Sequence, residues 1–412
     1  SIWDAFVRKS GKIRDGSTAD VACDHYHRWE GDLDLLAGLG VGAYRFSVSW
    51  PRVFPQGAGT LNSRGLDFYD RLVDGLLTRG VEPFVTLFHW DLPLSLEEKG
   101  GWLWRRTADH FADYAEAVAK RLGDRVTRWM TLNEPLTVVG AGYLAGRHAP
   151  GYRNLLKALK ASHNLLLAHG KALAALRAAL PQGDIGLANA FSPAYPARTR
   201  DQRVARRISA IINGLFMDPI LKGHYPKEID GLMRLANRQI RPGDMEVISA
   251  PVDFIGVNHY TRFIAQRTLL PFIGYRIVRP IYDEVIFTEM NWEVYPPGLY
   301  DILQWLRGEY GDLRFFITEN GAAFDDRLEE NEVRDVDRIA YLRRYLQQLH
   351  RAMEDGCRID GYFVWSFMDN FEWEHGLSKR FGVVHLNYQT LQRTIKQSGH
   401  WYASLARSGR LS

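Results

Sequence analysis

The sequence predicts an α/β protein with the architecture of a (β/α)8 barrel, and three observations support this prediction. Short strand-like runs alternate with amphipathic helical patterns along most of the chain, which is typical of a parallel sheet covered by helices. The chain has 412 residues, of which 46% are hydrophobic, so it can bury a large core without disulfides. No stretch of linker composition interrupts it, and we therefore expect one catalytic domain over residues 1–412.

Seven of the eight strands of such a barrel can be identified. They are predicted at residues 43–50, 83–90, 127–133, 184–190, 253–260, 314–318 and 361–367. A helical pattern at residues 29–39 precedes the first of them and has no strand before it, and the chain starts at Ser1 without an initiator Met. The sequence therefore predicts that an N-terminal strand is absent from this chain.

The first predicted strand shows which face of the strands points inward. Tyr44 and Phe46 alternate with Arg45 and Ser47, so one face is apolar and the other polar. In a barrel the apolar face packs on the outer helices, and the polar face points into the barrel. An arginine in that position requires a carboxylate partner.

A helical pattern that precedes the third predicted strand fits this scheme. Apolar side chains recur at helical spacing, and Gly123 follows them as a stop signal. The apolar members of this pattern are Phe111, Tyr114, Ala115, Val118 and Leu122.

Charge and cysteine content limit the classes of function. Lys and Arg number 52 and Asp and Glu 48, a net charge of +4, which predicts neither a nucleic-acid nor a membrane partner. A basic stretch favours a solvated surface over a polyanion site, and its members are Arg198, Arg200, Arg203, Arg206 and Arg207. Cys23 and Cys357 are the only cysteines, which favours a reducing compartment, with the cytoplasm as the default.

Three glutamates lie at or near the ends of predicted strands. These residues are Glu134, Glu319 and Glu372, and the carboxyl ends of barrel strands are where barrel enzymes keep their sites. Cleavage of a glycosidic bond needs two carboxyl groups, which lie about 5 Å apart in an enzyme that retains the anomeric configuration. Asn133 and Pro135 flank the first glutamate, which places an amide and a rigid turn beside it.

Two segments around these glutamates resemble the signatures of family 1 glycoside hydrolases, the β-glucosidase family. They are Thr131-Leu132-Asn133-Glu134-Pro135 and Ile317-Thr318-Glu319-Asn320-Gly321. Other segments match the family in the same order, namely Ser1-Ile2-Trp3-Asp4, Arg45-Phe46-Ser47, Pro51-Arg52, Phe88-His89-Trp90-Asp91, Asn258-His259-Tyr260 and Trp365-Ser366-Phe367-Met368-Asp369-Asn370-Phe371-Glu372-Trp373. The resemblance spans essentially the whole chain, except that the family's opening strand, with its sugar-binding glutamine, has no counterpart.

The resemblance implies a retaining β-glycosidase that removes terminal β-linked sugar units and uses neither metal nor cofactor. By match, Glu319 is the nucleophile and Glu134 the acid/base. The groups that hold the nucleophile are then Arg45, Asn258 and Tyr260, and those that bind substrate are His89, Asn133, Trp292, Trp365, Glu372 and Trp373. Trp292 resembles the indole on the aglycone side, and segment 263–290 is predicted to form a loop over that side.

Other interpretations remain open at this stage. A phospho-β-glycosidase would carry cationic and hydroxyl groups where this chain has Glu372 and Trp373. A non-catalytic sugar-binding or scaffold protein could share the barrel. The glutamates could be structural ion-pair partners, and the tryptophans could belong to the core. The expected partner is a small β-glycoside or oligosaccharide, and the sequence leaves the oligomeric state open.

Overall fold

The computed structural model describes residues 1–236, 240–268, 275–280 and 284–411. Its main sheet has seven parallel strands in the order β1-β2-β3-β4-β6-β9-β10. These strands are β1 (Ala43–Ser47), β2 (Glu82–Phe88), β3 (Arg128–Asn133), β4 (Asp184–Ala190), β6 (Phe254–Asn258), β9 (Arg314–Asn320) and β10 (Arg358–Val364). All seven predicted strands are therefore present.

The largest difference from the predicted strand bounds is at β10. The strand begins three residues before the predicted start. The prediction missed its N-terminal end because Arg358 and Asp360 are exposed there, and the apolar pattern begins only after them. Strands β1 and β10 are the outer strands of the sheet, and within the described residues each has one partner in it. An eighth strand that completes the barrel stays a prediction.

Helices cover the outer face of this sheet. They are α1 (Ile2–Val7), α2 (His25–Gly38), α3 (Trp50–Val53), α4 (Ser63–Thr78), α5 (Leu94–Glu97), α6 (Thr107–Leu122), α7 (Pro135–Thr137), α8 (Leu155–Ala179), α9 (Gln202–Ser209), α10 (Leu215–Lys222), α11 (Asp230–Ala236), α12 (Asp244–Ile248), α13 (Pro297–Tyr310), α14 (Val336–Glu354) and α15 (Gln397–Ser408). The helix predicted at 29–39 is α2, which begins four residues earlier, after Asp24. The pattern at 111–122 lies in α6, and Gly123 is its C-cap as predicted.

Segment 263–290 contains more regular structure than the predicted loop. It includes β7 (Phe263–Arg267) and β8 (Tyr275–Val278), which pair antiparallel, and β7 also pairs with β5 (Ala194–Pro196). The loop prediction was therefore wrong for these strands, and residues 269–274 and 281–283 lie outside the described residues. A last antiparallel pair is formed by β11 (Val384–Leu386) and β12 (Arg393–Ile395).

Two of the hydrophobic clusters lie on opposite faces of the strands, as the alternation along the strands predicts. The larger cluster lies between the sheet and the helices, with Tyr44 and Phe46 of β1 packed against it. Arg45, between them, turns to the inside of the barrel. A smaller apolar cluster contains Phe84, Met130, Ala188, Phe254 and Phe316, from β2, β3, β4, β6 and β9.

A buried ion network joins the segments that follow β9 and β10. Arg338 is fully buried and donates to both carboxylate oxygens of Asp326, at 3.0 and 2.7 Å, and to Asp335. Lys396, also fully buried, donates to Asp326 and, at 2.8 Å, to Asp369. These contacts tie together chain segments that would otherwise be linked only through loops.

Replacing Arg338 with Met is expected to lower the free energy of unfolding by about 3–5 kcal/mol, because it leaves two buried carboxylates without their main cation. Equilibrium unfolding in urea at neutral pH measures the change. The matched control is Arg327→Met, since Arg327 pairs with Asp325 at the exposed surface and its loss is expected to have no measurable effect. Equal losses of unfolding free energy in the two variants would contradict the conclusion that the buried Arg338 contacts stabilise the fold more than the exposed Arg327 pair.

Candidate active site

The predicted site residues come together at one end of the barrel. Glu134 directly follows β3, Glu319 is the penultimate residue of β9, and Asn258 is the last residue of β6. Because the strands are parallel, their carboxyl ends meet at the same rim. The three side chains are 7% exposed or less, so they face a partly closed interior.

Arg45 is the centre of the polar contacts inside the barrel. Its Nη1 donates to Oε1 of Glu319 at 2.6 Å, and its Nη2 donates to Oδ1 of Asn133 at 2.6 Å. Its Nε donates to the hydroxyl of Thr86 at 3.2 Å. The predicted carboxylate partner of this buried arginine is thus Glu319.

Tyr260 holds the second oxygen of Glu319. The Tyr260 hydroxyl donates to Oε2 of Glu319 at 2.7 Å, so each carboxylate oxygen has its own donor. Burial, and then the charges of Glu319 and Glu134, raise the pKa of Tyr260 well above its usual value. The phenol therefore remains protonated at neutral pH and can donate its hydrogen bond to Glu319.

Glu134 lies in a different environment from Glu319. Its carboxylate accepts hydrogen bonds from Asn258 Nδ2 at 2.8 Å and from the Thr137 hydroxyl at 2.9 Å. Burial raises the pKa of Glu134 to about 7, and the charge of Glu319 acts in the same direction. At neutral pH a substantial fraction of Glu134 therefore carries a proton.

The backbone at Glu134 is strained. Its φ of 46° lies in the left-handed region, which a residue with a Cβ adopts only at an energetic cost. The turn is held by the Glu134 N–H, which donates to the carbonyl of Ala188 on the neighbouring strand at 2.8 Å. This turn aims the carboxyl group into the barrel as α7 begins.

A chain of hydrogen bonds connects the two glutamates. Oδ1 of Asn133 accepts from Arg45 and, at 3.1 Å, from Nδ2 of Asn258, which also donates to Glu134. The Thr318 hydroxyl donates to Oδ1 of Asn258 at 2.6 Å and fixes the orientation of its amide. The positions of the two glutamates are therefore coupled through Arg45, Asn133 and Asn258.

Glu372 and His89 complete the polar part of the site. Burial, and then the charges of Glu319 and Glu134, raise the pKa of Glu372 to about 8. His89 Nε2 lies 3.0 Å from Asn133 Nδ2, and burial together with the charge of Arg45 lowers the pKa of His89 well below its usual value. The imidazole is therefore neutral and can exchange hydrogen bonds with a neutral ligand.

Aromatic rings surround His89. Its ring lies 6.0 Å from Trp365 and 5.8 Å from Trp373, measured between centroids. Trp373 is itself packed 4.6 Å from Trp90 and 4.5 Å from Trp3. Trp365 and Trp373, two of the three tryptophans predicted from the sequence, thus lie next to His89. A cavity of about 700 Å³ reaches Arg45, His89 and Trp365.

Trp292 lies in a second aromatic group, near Tyr260 rather than His89. Its ring is 5.0 Å from that of Tyr260 and 6.2 Å from that of Phe381. The indole is only partly buried. The sequence-predicted aromatic residues therefore divide into two groups, one next to His89 and one next to the residue that contacts Glu319.

Four residues of the site were missed by the sequence analysis. The Thr86 hydroxyl accepts a hydrogen bond from Arg45. Thr137, Thr318 and Trp90 donate hydrogen bonds to Glu134, Asn258 and the Asn133 carbonyl respectively. A signal existed for Thr137, which lies three residues after Glu134 in the helical turn that begins there. The other contacts join residues that are far apart in sequence.

Two kinds of feature are absent from the described residues. None of their helices combines the length and apolar content needed to cross a bilayer. Within the same residues, no group of three or more His, Cys, Asp or Glu side chains is arranged to hold a metal ion.

Comparisons with known proteins agree with this geometry. A family model described as "Glycosyl hydrolase family 1" matches residues 1–410. Beta-glucosidase A of Acetivibrio thermocellus is 44% identical over 413 residues, covering 99% of this chain and 92% of that protein. A bifunctional beta-D-glucosidase/beta-D-fucosidase of Bifidobacterium breve is 41% identical over 425 residues, covering 98% of this chain and 91% of that protein.

Solved structures are similar over the same range. The beta-glucosidase from Thermotoga maritima in complex with azafagomine superposes with a TM-score of 0.95 at 42% sequence identity. The superposition covers 99% of this chain and 92% of that chain.

Replacing Thr137 with Val is expected to raise the pKa of Glu134 above its value of about 7, because the Thr137 hydroxyl stabilises the charged carboxylate. Titration of the ¹³C-labelled carboxyl group by NMR, assigned through Glu134→Gln, measures it. The control is Thr127→Val, which removes a hydroxyl bonded to Glu82 and should leave Glu134 unchanged. An unchanged or lower pKa in the Thr137 variant would contradict this account.

Proposed function

This chain belongs to glycosyl hydrolase family 1, and we propose that Glu319 is its nucleophile and Glu134 its acid/base. The protein is a retaining β-glycosidase of the β-glucosidase type, which hydrolyses terminal β-linked sugar units.

The observation that carries this assignment is the difference between the surroundings of the two carboxyl groups. Arg45 and Tyr260 each donate to one oxygen of Glu319, which favours a charged carboxylate aimed in one direction. Glu134 contacts no cation directly among the described residues, and its pKa is raised to about 7. One group is thus suited to attack and the other to deliver a proton.

In the first step, a carboxylate oxygen of Glu319 attacks the anomeric carbon as the bond to the leaving oxygen breaks. Glu134 transfers its proton to that oxygen, so the aglycone leaves as a neutral alcohol or phenol. The product is a glycosyl ester of Glu319. The carboxylate charge that Arg45 had balanced is thereby lost.

In the second step, the change in charge converts Glu134 into a base. Because the charge of Glu319 helps to raise the pKa of Glu134, esterification lowers that pKa. Glu134 then accepts a proton from water as the water oxygen attacks the anomeric carbon and the ester bond breaks. Two inversions at one carbon give net retention, and the original protonation states are restored.

The sugar-binding groups are proposed from the same arrangement. His89, Asn133 and Glu372 offer hydrogen bonds to the hydroxyl groups, while Trp365 and Trp373 offer apolar faces to the C–H side of the ring. The carboxyl group of Glu372 offers no positive charge to the phosphate of a phosphorylated sugar, which argues against a phospho-β-glycosidase. Trp292, beside Tyr260, is proposed to line the aglycone side.

The substrate proposed is a small neutral β-glycoside with a terminal glucose-like, galactose-like or fucose-like unit. Site residues come from β1, β3, β6, β9 and the segment after β10, which supports a single catalytic domain over residues 1–412. Cys23 and Cys357 are both free thiols, and this supports the proposal of a reducing, cytoplasmic location.

Replacing Glu319 with Ala is expected to reduce the hydrolysis of an aryl β-glucoside by about 10⁵-fold or more, because the attacking group is lost. Glu134→Ala is expected to lose about 10²–10⁴-fold on a poor leaving group and little on an activated phenol. Rate measurements on 2,4-dinitrophenyl and methyl β-glucosides compare the two variants.

Azide distinguishes the two roles by stereochemistry. In Glu319→Ala, azide replaces the nucleophile in one inversion and yields an α-glucosyl azide. In Glu134→Ala, it attacks the glycosyl ester and yields a β-glucosyl azide. NMR of the products identifies the anomer. A β-glucosyl azide from Glu319→Ala and an α-glucosyl azide from Glu134→Ala would reverse the assignment.

The pH dependence follows from the raised pKa of Glu134. The protonated acid persists up to about pH 7 and is lost above it, so kcat/KM for methyl β-glucoside is expected to fall above that pH. For 2,4-dinitrophenyl β-glucoside, whose leaving group needs no proton, this alkaline fall is expected to be absent. Parallel pH profiles for both substrates would contradict the role of Glu134 as the acid.

A further inference from the structure

Two chain segments at the rim of the barrel are fastened to each other by a buried ion pair. Arg262, just after β6, donates through Nε to Oε2 of Glu293 at 2.9 Å and through Nη2 to Oε1 at 2.8 Å. The side chains of Arg262 and Glu293 are 9% and 7% exposed. A two-point pair with this burial fixes both distance and orientation.

The guanidinium of Arg262 is also placed against two aromatic rings. It lies 3.5 Å from the ring centroid of Tyr295 and 5.2 Å from that of Tyr195. These rings are 5.6 Å apart at an interplanar angle of 74°. A planar cation is needed to combine stacking with two parallel hydrogen bonds, so lysine would not be an equivalent residue.

Neutral hydrogen bonds join the same two segments. The Thr261 hydroxyl donates to the carbonyl of Glu293 at 3.0 Å. The Tyr345 hydroxyl donates to the carbonyl of Tyr260 and accepts from the N–H of Tyr295, both at 3.1 Å. Within the part of the chain that the structure describes, residues 260–262 and 293–295 are therefore connected at three points, and one of these is the charged Arg262–Glu293 pair.

The Arg262–Glu293 pair is adjacent in sequence to two residues of the site. Tyr260, two residues before Arg262, donates to Glu319, and Trp292 directly precedes Glu293. The rings of Tyr260 and Trp292 lie 5.0 Å apart. The ion pair thus joins the segment that carries Trp292 to the segment that carries the residue contacting the proposed nucleophile.

We propose that Arg262, through Glu293, is a positioning residue that holds Trp292 as the aglycone wall and so determines the preference for aryl over alkyl aglycones. This inference rests on the proposed function. Removing Arg262 takes away the two-point cation contact of the buried Glu293 carboxylate, and the segment that carries Trp292 is then expected to shift. An aryl aglycone loses its aromatic neighbour, whereas a methyl group has little contact to lose.

Loss of Arg262 is expected to slow the step in which the aglycone departs, but not the hydrolysis of the glycosyl ester. The aglycone departs in the first step, so the attack of water on the glycosyl ester of Glu319 should not depend on Trp292. Transfer of the glycosyl group to an aryl acceptor should depend on it, since the acceptor occupies the aglycone side. A general loosening of the protein would affect both.

The test compares kcat/KM for 4-nitrophenyl and methyl β-glucosides in wild type, Arg262→Met, Arg262→Lys and Glu293→Gln. The aryl-to-methyl ratio is expected to fall about tenfold, the size of one lost aromatic contact. A 2-deoxy-2-fluoroglucosyl enzyme, formed on each variant, is then reactivated in water or with phenyl β-glucoside as acceptor. The rate of reactivation in water should stay within about twofold of wild type. The rate of reactivation by the acceptor should fall by about the same factor as the aryl-to-methyl ratio of kcat/KM.

Arg105→Met is the matched control. Arg105 forms a two-point pair with Asp244, with exposures of 19% and 5%, and its bonds to Asp244 resemble those of Arg262 to Glu293. Its removal is expected to lower the thermal midpoint without changing the aryl-to-methyl ratio. If Arg262→Met does not fold, the double variant Arg262→Met/Glu293→Leu removes both charges and is used instead.

Two results would overturn the proposal. An unchanged ratio in a folded Arg262 variant would mean that the pair is only structural. Equal losses on both substrates and in water reactivation would mean that it acts on Tyr260 instead of Trp292. Failure of the proposed function is distinguishable, because peptide mapping would then find the fluoroglucosyl label on a residue other than Glu319.

Discussion

The contact on which the whole site depends is the buried bond between Arg45 and Glu319. A guanidinium inside a barrel has lost its water and must be neutralised, so the carboxylate beside it is held charged and in one place. The same guanidinium binds Asn133 and Thr86. Strands β1, β2, β3 and β9 therefore keep a common alignment at their carboxyl ends, and the other polar groups are arranged around this cation.

The two glutamates differ because the cation is shared unequally. Arg45 touches Glu319 directly but reaches Glu134 only through Asn133 and Asn258. Burial therefore dominates at Glu134 and raises its pKa to about 7, whereas two donors hold the oxygens of Glu319. Two identical side chains therefore acquire different roles from the position of one arginine. In the proposed steps Glu319 and Glu134 change their charges in turn, and no metal or cofactor takes part.

Long segments at the rim are ordered by buried ion pairs as much as by the sheet. Arg338 and Lys396 join Asp326, after β9, to Asp369, after β10, and so support the segment that carries Trp365, Glu372 and Trp373. Arg262 and Glu293 do the same for the segment that carries Trp292. The chemical centre therefore lies on strand ends, while the residues proposed to recognise sugar and aglycone lie on segments that depend on these pairs. Substrate preference can then vary without disturbing the strands.

The sequence alone determined the seven strands, the inward direction of Arg45 and the two glutamates with their flanking motifs, because periodicity and neighbouring residues encode such features locally. It could not determine that Thr86 and Thr318 support the site, or that β7 and β8 pair antiparallel within segment 263–290. The raised pKa of Glu134 and the pairing of Arg262 with Glu293 were likewise decided by the tertiary structure. Burial and distance between residues on different strands arise only when the sheet aligns the strand ends, and no local pattern records them.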